Sequence, residues 1–297
     1  MILFMIISAS RRTDIPAFYT RWLMNRIRQG ECQVVNPYRR DQIKRVSLAL
    51  GDVDVIVFWT RHALPLMPHL DELDQRGYRY FFQYTITNYP PALEHKTPSL
   101  AVAVQTFQAL ARKIGKERVI WRYDPVYLSP ATSPDFHRRN FQTLAEALCG
   151  YSERCVISLF DDYAKTRKRL AQNPTLVPWI DDAQNFGAVL DGLMPDLVEI
   201  AGDNHYELLS CAEELDLRPY GIEPGKCVDD DLVRRVFGLE MAYRKDPGQR
   251  PACGCMSSQD IGRYDSCPFG CQYCYANRSF EQARQYYANH DSDRLYL

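Results

Sequence analysis

Cys267, Cys271 and Cys274 stand in a C-x3-C-x2-C run inside the stretch CPFGCQYCY. Three thiolates at that spacing on one loop can hold three irons of a cubane [4Fe–4S] cluster, leaving the fourth iron open to a ligand that is not protein. An open coordination position marks a reactive metal centre, whereas a fully ligated one marks a structural centre. Ten cysteines in 297 residues would produce this spacing by chance only roughly one time in a hundred. Gly270, directly before Cys271, allows the positive φ that lets a loop wrap closely around a cluster. Tyr273 and Tyr275 flank the last cysteine.

Four more cysteines lie in the C-terminal third: Cys211, Cys227, Cys253 and Cys255. Cys253-Gly-Cys255 is a tight pair able to grip one metal, and Cys211 and Cys227 could complete a set of four. Four thiolates suit an auxiliary iron–sulfur cluster or a structural zinc. The wide gaps leave an equal case for buried cysteines acting as small core residues. Cys32, Cys149 and Cys155 have no partner at ligand spacing, and the six histidines show no metal-ligand spacing with one another. His62 follows Arg61 and could donate a proton, against the plainer reading of a loop histidine.

These groups need elements to position them. Apolar runs predict strands over Phe4–Ala9, Val53–Trp59, Tyr80–Thr85, Val119–Tyr123, Cys155–Phe160 and Glu207–Cys211. Several are continuous, as strands of a parallel sheet covered on both faces tend to be. Amphipathic stretches between them predict helices around 17–29, 66–76, 99–114, 135–148 and 183–200, with further helices over 229–239 and 276–289. An extended piece is expected near 251–256. Repeated βα units of this kind predict an α/β fold with a parallel sheet, and a TIM-barrel-like (β/α) barrel is favoured over a doubly wound layer. No Gly-rich dinucleotide fingerprint follows the first strand. No break in composition divides the chain, so residues 1–297 read as one barrel domain, with the cluster loop and final helix in 251–297.

In such a barrel, catalytic groups sit where strands run into the following loops. Each predicted strand here ends in polar chemistry: Ser10, Arg12 and Asp14 after the first, Arg61 after the second, Gln83 on the third. Arg122 and Asp124 follow on the fourth, Asp161 on the fifth and Glu213 after the sixth. A ring of this kind suits a polar, zwitterionic cofactor and a polar substrate, because Arg clamps carboxylates and Asp accepts from hydroxyl or ammonium groups. The plainer account is that these residues are helix caps and loop ion pairs, above all Asp14 before Ile15-Pro16 and Asp124 before Pro125.

Composition narrows the remaining classes. The apolar fraction of 46% and charged fraction of 25% are ordinary for a globular protein. A net charge of −1 gives no basic field for nucleic acid. The apolar opening MILFMIISAS is short, lacks a basic leader and runs into Arg11-Arg12, so it reads as a buried strand; no other stretch approaches a membrane span. Ten cysteines without a secretion signal point to a reducing compartment, the cytoplasm, and to metal ligation over disulfides.

CPFGCQYCY resembles the cluster motif of the radical S-adenosylmethionine (radical SAM) superfamily. The whole chain, from SASRRTDIP to SSQDIGRYDSCPFGCQYCYA, resembles an uncharacterised bacterial family, domain of unknown function 1848, noted for a C-terminal cysteine cluster of the radical SAM kind. The resemblance implies a [4Fe–4S] cluster on Cys267, Cys271 and Cys274, with S-adenosylmethionine on the open iron and Tyr273 toward its adenine; Ser10 and Arg12, from the ring of polar strand ends, are the further cofactor contacts expected. It implies cleavage of the cofactor to a 5′-deoxyadenosyl radical that takes hydrogen from a polar small-molecule substrate, with electrons from a donor such as a flavodoxin or ferredoxin. In the radical SAM fold the cluster loop follows the first barrel strand; here the strand, loop and helix come last. A closing barrel sets its last strand beside its first, so a permuted order preserves the site. No Gly-Gly-Glu-type segment is present for the cofactor's amino group, a place Glu213 or Asp14 could take. The competing classes are a non-catalytic iron–sulfur electron carrier or redox sensor, a zinc-only structural site, and a nucleic-acid repair enzyme, which the charge balance does not favour.

Overall fold

The computed structural model describes residues 4–39, 41–179 and 183–297. Residues 1–3 of the apolar opening lie outside them. Eight parallel strands form the main sheet: β1 (Ile6–Ala9), β4 (Val55–Thr60), β5 (Tyr80–Thr85), β6 (Val119–Val126), β7 (Arg154–Leu159), β8 (Glu207–Ser210), β9 (Glu223–Pro224) and β10 (Gln259–Asp260). Their order across the sheet is β10-β1-β4-β5-β6-β7-β8-β9. The first strand therefore has one of the last segments of the chain on one side, with Ile7 opposite Gln259, and β4 on the other, with Ile7 opposite Ile56.

The alternation of side chains across these strands separates two apolar faces. Ile7, Phe58, Phe82, Trp121 and Ile157 point to one face. They meet α2 (Thr20–Gln29), α4 (Leu100–Ile114), α5 (Pro134–Leu148) and α7 (Ala183–Asp203). In α4, Ala103, Phe107, Leu110, Ala111 and Ile114 are buried, the spacing of one helical stripe. Ser133 starts α5 by accepting a hydrogen bond from the Phe136 amide, with Pro134 at the first helical position. Trp121 then stacks on Phe141 of that helix at 4.9 Å. Ile6, Val57, Phe81, Ile120 and Val156 point to the opposite face, against Cys227, Val228, Val233, Cys255 and Met256. That face is covered by α8 (Asp230–Phe237) and the irregular chain around it.

All six predicted strands form, with ends shifted by a few residues. The predicted 17–29 helix is broken at Tyr19 into α1 (Ile15–Phe18) and α2, and the 66–76 helix is a 3-10 turn over Met67–His69 leading into α3 (Leu70–Gln75). The last helix, α9, is Phe280–Ala288, capped by Ser279, which accepts from the Gln282 amide. The sequence reading also missed α6 (Ala164–Leu170), the two-residue β9 and the antiparallel hairpin of β2 (Glu31–Val35) and β3 (Ile43–Ser47), whose second strand is largely polar and exposed. The extended piece expected at 251–256 contributes only a bridge between Lys245 and Met256, and the strand that joins the sheet is β10, three residues later.

The expected closed barrel is not found among the described residues. The sheet ends at β9 and β10, each two residues long, and neither pairs with the other. The physical reason lies in the chain between them. Pro224 lacks an amide hydrogen and ends β9, and residues 225–258 carry α8 and several turns in place of another strand. That stretch is tied to itself, the Met256 amide donating to the Val228 carbonyl at 3.0 Å. No helix among the described residues is long and apolar enough to cross a membrane.

Candidate metal centre and its surroundings

Pairing of β10 with β1 places the cysteine loop beside the end of the first strand. The Asp260 carboxylate is the fastening: it accepts from Ser8 Oγ at 3.0 Å, Ser10 Oγ at 2.7 Å and the amides of Arg11 and Gly262 at 2.9 Å. Further along, the Tyr19 hydroxyl donates to the Ser266 carbonyl at 2.6 Å and the Tyr275 hydroxyl to the Arg11 carbonyl at 3.0 Å. Cys267 lies within electrostatic reach of Asp14, Cys271 and Cys274. The final strand and the cysteine loop thus adjoin residues 8–14, while α9 packs through Tyr287 on Phe18 and Tyr19.

The loop is held from several sides. The Gln272 amide donates to the Leu93 carbonyl at 2.9 Å, and Gly270 adopts φ 74°, the left-handed conformation anticipated for it. Asn277 donates to the Cys267 carbonyl at 2.7 Å, and Arg169 of α6 donates to the carbonyls of Cys274 at 2.6 Å and Asn277 at 3.1 Å. The Ala276 amide points at Cys274 Sγ, 3.3 Å away. Cys271 is buried, while Cys267 and Cys274 are partly accessible. Burial pushes the Cys267 thiol up, and pushes that of Cys271 up to about 12, because a thiolate there loses its water. A bound metal reverses this by taking the thiolates directly.

The donor set fits a cluster. Three thiols on one loop, one buried and two partly accessible, are the donor chemistry of an iron–sulfur site with an open position. Two buried polar atoms without a hydrogen-bond partner lie on residues that hold the loop, Arg169 Nε and Asn277 Oδ1.

Arg61 is the predicted strand-end residue drawn closest into this loop. Its guanidinium forms a 2.8 Å ion pair with Glu94 and donates to Thr87 Oγ1 at 3.1 Å and to the Tyr273 hydroxyl. Tyr273 in turn donates to Glu94. The charge of Arg61 also acts on Cys271 and Cys274. Glu94 was missed because it sits in the irregular chain after β5, where no periodicity marks it. Its signal was position alone, in a loop leaving the same end of the sheet as Arg61. The Tyr273 ring, expected to face an adenine, has Tyr127 stacked at 6.0 Å and Tyr89 edge-on at 6.0 Å beside it. A cleft of about 420 Å³ abuts the cysteine loop at Pro268 and Phe269, with His62 and Lys96 on its walls.

The other predicted residues divide. Ser10 and Arg12 are occupied by Asp260, Arg12 at 3.9 Å. Asp14 is a buried cap, accepting from the Ala17 and Arg61 amides and from Thr60, and burial lifts its carboxyl to about 7. Gln83, Arg122 and Asp124 form one network on the α8-covered face. Arg122 binds Asp124 through Nε at 3.0 Å and donates to Gln83 at 3.3 Å, and Asp124 also accepts from Ser158. Asp161 stands nearer the surface, paired with Arg250 at 2.6 Å. Glu213 accepts from the Leu159 amide at 2.8 Å, and burial raises its carboxyl to about 8. The oxygens of Asp229, Asp230 and Asp231 also approach one another, but Arg154 and Lys226 already neutralise them.

Residues 6–276 match the model of a protein family described as Domain of unknown function (DUF1848). No curated protein matches the sequence.

Proposed function

We propose, from the premise that the chain belongs to the DUF1848 family, that it is an iron–sulfur enzyme of the radical SAM kind. One observation carries the reading: three cysteines on a single loop follow the strand that pairs with β1, at the end of the parallel sheet where polar side chains gather. When bound there, a [4Fe–4S] cluster with one open iron would supply the electron that breaks an S–C bond of S-adenosylmethionine, starting hydrogen abstraction from a polar substrate.

The chain's own residues have separable parts in this scheme. Cys267, Cys271 and Cys274 would be the ligands. Arg61, held by Glu94 and Tyr273, places a fixed positive charge beside Cys271 and Cys274 and offsets the charge of the thiolates. Arg169 and Asn277 fix the loop's carbonyls, so its sulfurs keep their places without reorganising. On this reading the sheet is an open relative of the radical SAM barrel with its first βα unit moved to the end of the chain. The surroundings are a reducing cytoplasm, and the electrons come from a small carrier such as a flavodoxin or ferredoxin.

The test is anaerobic reconstitution with iron and sulfide, then incubation with S-adenosylmethionine and a strong reductant. Formation of 5′-deoxyadenosine, abolished in Cys271→Ala, is the expected result. An intact cofactor together with a cluster spectrum that ignores its addition would overturn the proposal and leave an electron carrier or redox sensor.

A further inference from the structure

The face of the sheet covered by α8 gathers four of the seven cysteines that the first loop does not use. Cys211 follows β8, Cys227 follows β9, and Cys253 and Cys255 precede β10. These positions are far apart in sequence, yet Cys211 Sγ lies 3.0 Å from Cys227 Sγ. Cys255 Sγ accepts from the amides of Cys227 at 3.3 Å and Val228 at 3.5 Å. Cys253, two residues before Cys255, is buried on the same face. Three of the four are buried, and Cys211 is partly so.

Cations surround the group. Arg122 donates through Nη1 to Cys227 Sγ at 2.7 Å. Arg11, stacked 4.8 Å over the Trp59 ring, exerts its charge on Cys255 and Cys227, and its buried Nη2 has no hydrogen-bond partner. A set of neutral core thiols calls for none of this, because a thiol is a small apolar group that needs no positive partner. Amide and guanidinium donors aimed at sulfur are what thiolates bound to a metal require. Arg11 brings a positive charge to the group, and Arg122, which is also paired with Asp124, donates to one of its sulfurs. We infer that Cys211, Cys227, Cys253 and Cys255 form a second metal centre of tetrathiolate type, separate from the Cys267, Cys271 and Cys274 loop.

Thiolates in this number select iron–sulfur clusters or zinc. The two sources differ in metal, sulfide and colour. The centre does not depend on the first loop having any activity.

The experiment replaces the first loop's ligands together, in Cys267→Ala/Cys271→Ala/Cys274→Ala, and offers that protein iron with sulfide, or zinc alone, under anaerobic conditions. The inference expects about one centre per chain to remain, either iron and sulfide with visible absorbance or one colourless zinc. Adding Cys227→Ser and Cys255→Ser should remove it. Absence of stoichiometric metal in a folded triple variant would overturn the inference, as would retention after the further two changes. If the triple variant does not fold, Cys253→Ser/Cys255→Ser in the otherwise intact chain provides the readout. A loss of one centre's metal then supports the site, and an unchanged metal content rejects it. Thiol titration of the anaerobic protein adds an independent check, since a Cys211–Cys227 disulfide would also reject it. Failure of S-adenosylmethionine cleavage with a retained second centre would sink only the enzymatic proposal.

Discussion

At the scale of single residues, the Arg61–Glu94 pair carries the most consequence. Glu94 is almost wholly buried and binds Arg61, Thr87 and Tyr273 at once. Removing one partner of a buried pair leaves an uncompensated charge, so Glu94→Ala should lower stability by roughly 3–5 kcal/mol. Arg61→Met in that background should restore part of the loss, because no lone guanidinium then remains. Urea unfolding of the single and double variants measures both, and a double variant less stable than Glu94→Ala would refute the account. Arg61 was legible in the sequence because it follows a strong apolar strand. Glu94 was not, since an ion pair across 33 positions leaves no local pattern in a loop without period. Asp14 shows the opposite case: its plainer reading as a helix cap is what the structure displays.

At the scale of elements, the joint between β10 and β1 decides where the cysteine loop lies. β10 has only two residues, so the fastening rests on Asp260 and on close approach of the backbone at Gly262. A Cβ built at Gly262 would fall 2.0 Å from Ser10 Oγ and 2.5 Å from Ser10 Cβ. Gly262→Ala should therefore push the two segments apart, lowering stability by about 1–3 kcal/mol and weakening metal retention by the loop. Gly262→Ala with Ser10→Gly removes both obstructing atoms and, less the hydrogen bond from Ser10 Oγ to Asp260, should recover part of the stability in thermal unfolding. Equal losses in the single and double variants would show that the contact is not the cause. The long strands were readable because burial on both faces makes them continuous apolar runs. β10 was misplaced because two residues carry no periodicity, and its location depends on a carboxylate recognising hydroxyls some 250 positions away.

At the scale of the whole molecule, the sheet keeps its aromatic, helix-covered face apart from the face that holds the second cysteine group. Alternation along each strand made that division legible, whereas closure was not, because a barrel and an open parallel sheet share the same βα periodicity. The helix-covered core contains one buried titratable group whose cost is spread over several elements. His137 of α5 lies against Tyr123 of β6, with Nδ1 2.8 Å from the Tyr123 hydroxyl and Nε2 3.0 Å from the Tyr127 carbonyl, and the Tyr89 and Phe136 rings beside it. Burial lowers its pKa from 6.5 to about 4. Above pH 6.5 the imidazole is neutral in both the folded and unfolded chain and costs nothing. As the pH falls below 6.5 the unfolded chain takes a proton that the folded one refuses, so stability declines until the folded group titrates near pH 4. The full loss across that window is about 3 kcal/mol. His137→Gln, which cannot titrate, should show a flatter decline in urea-derived stability from pH 6.5 to 4 than the unaltered chain. Parallel curves for the two proteins would mean that the acid sensitivity of this core comes from carboxylates elsewhere.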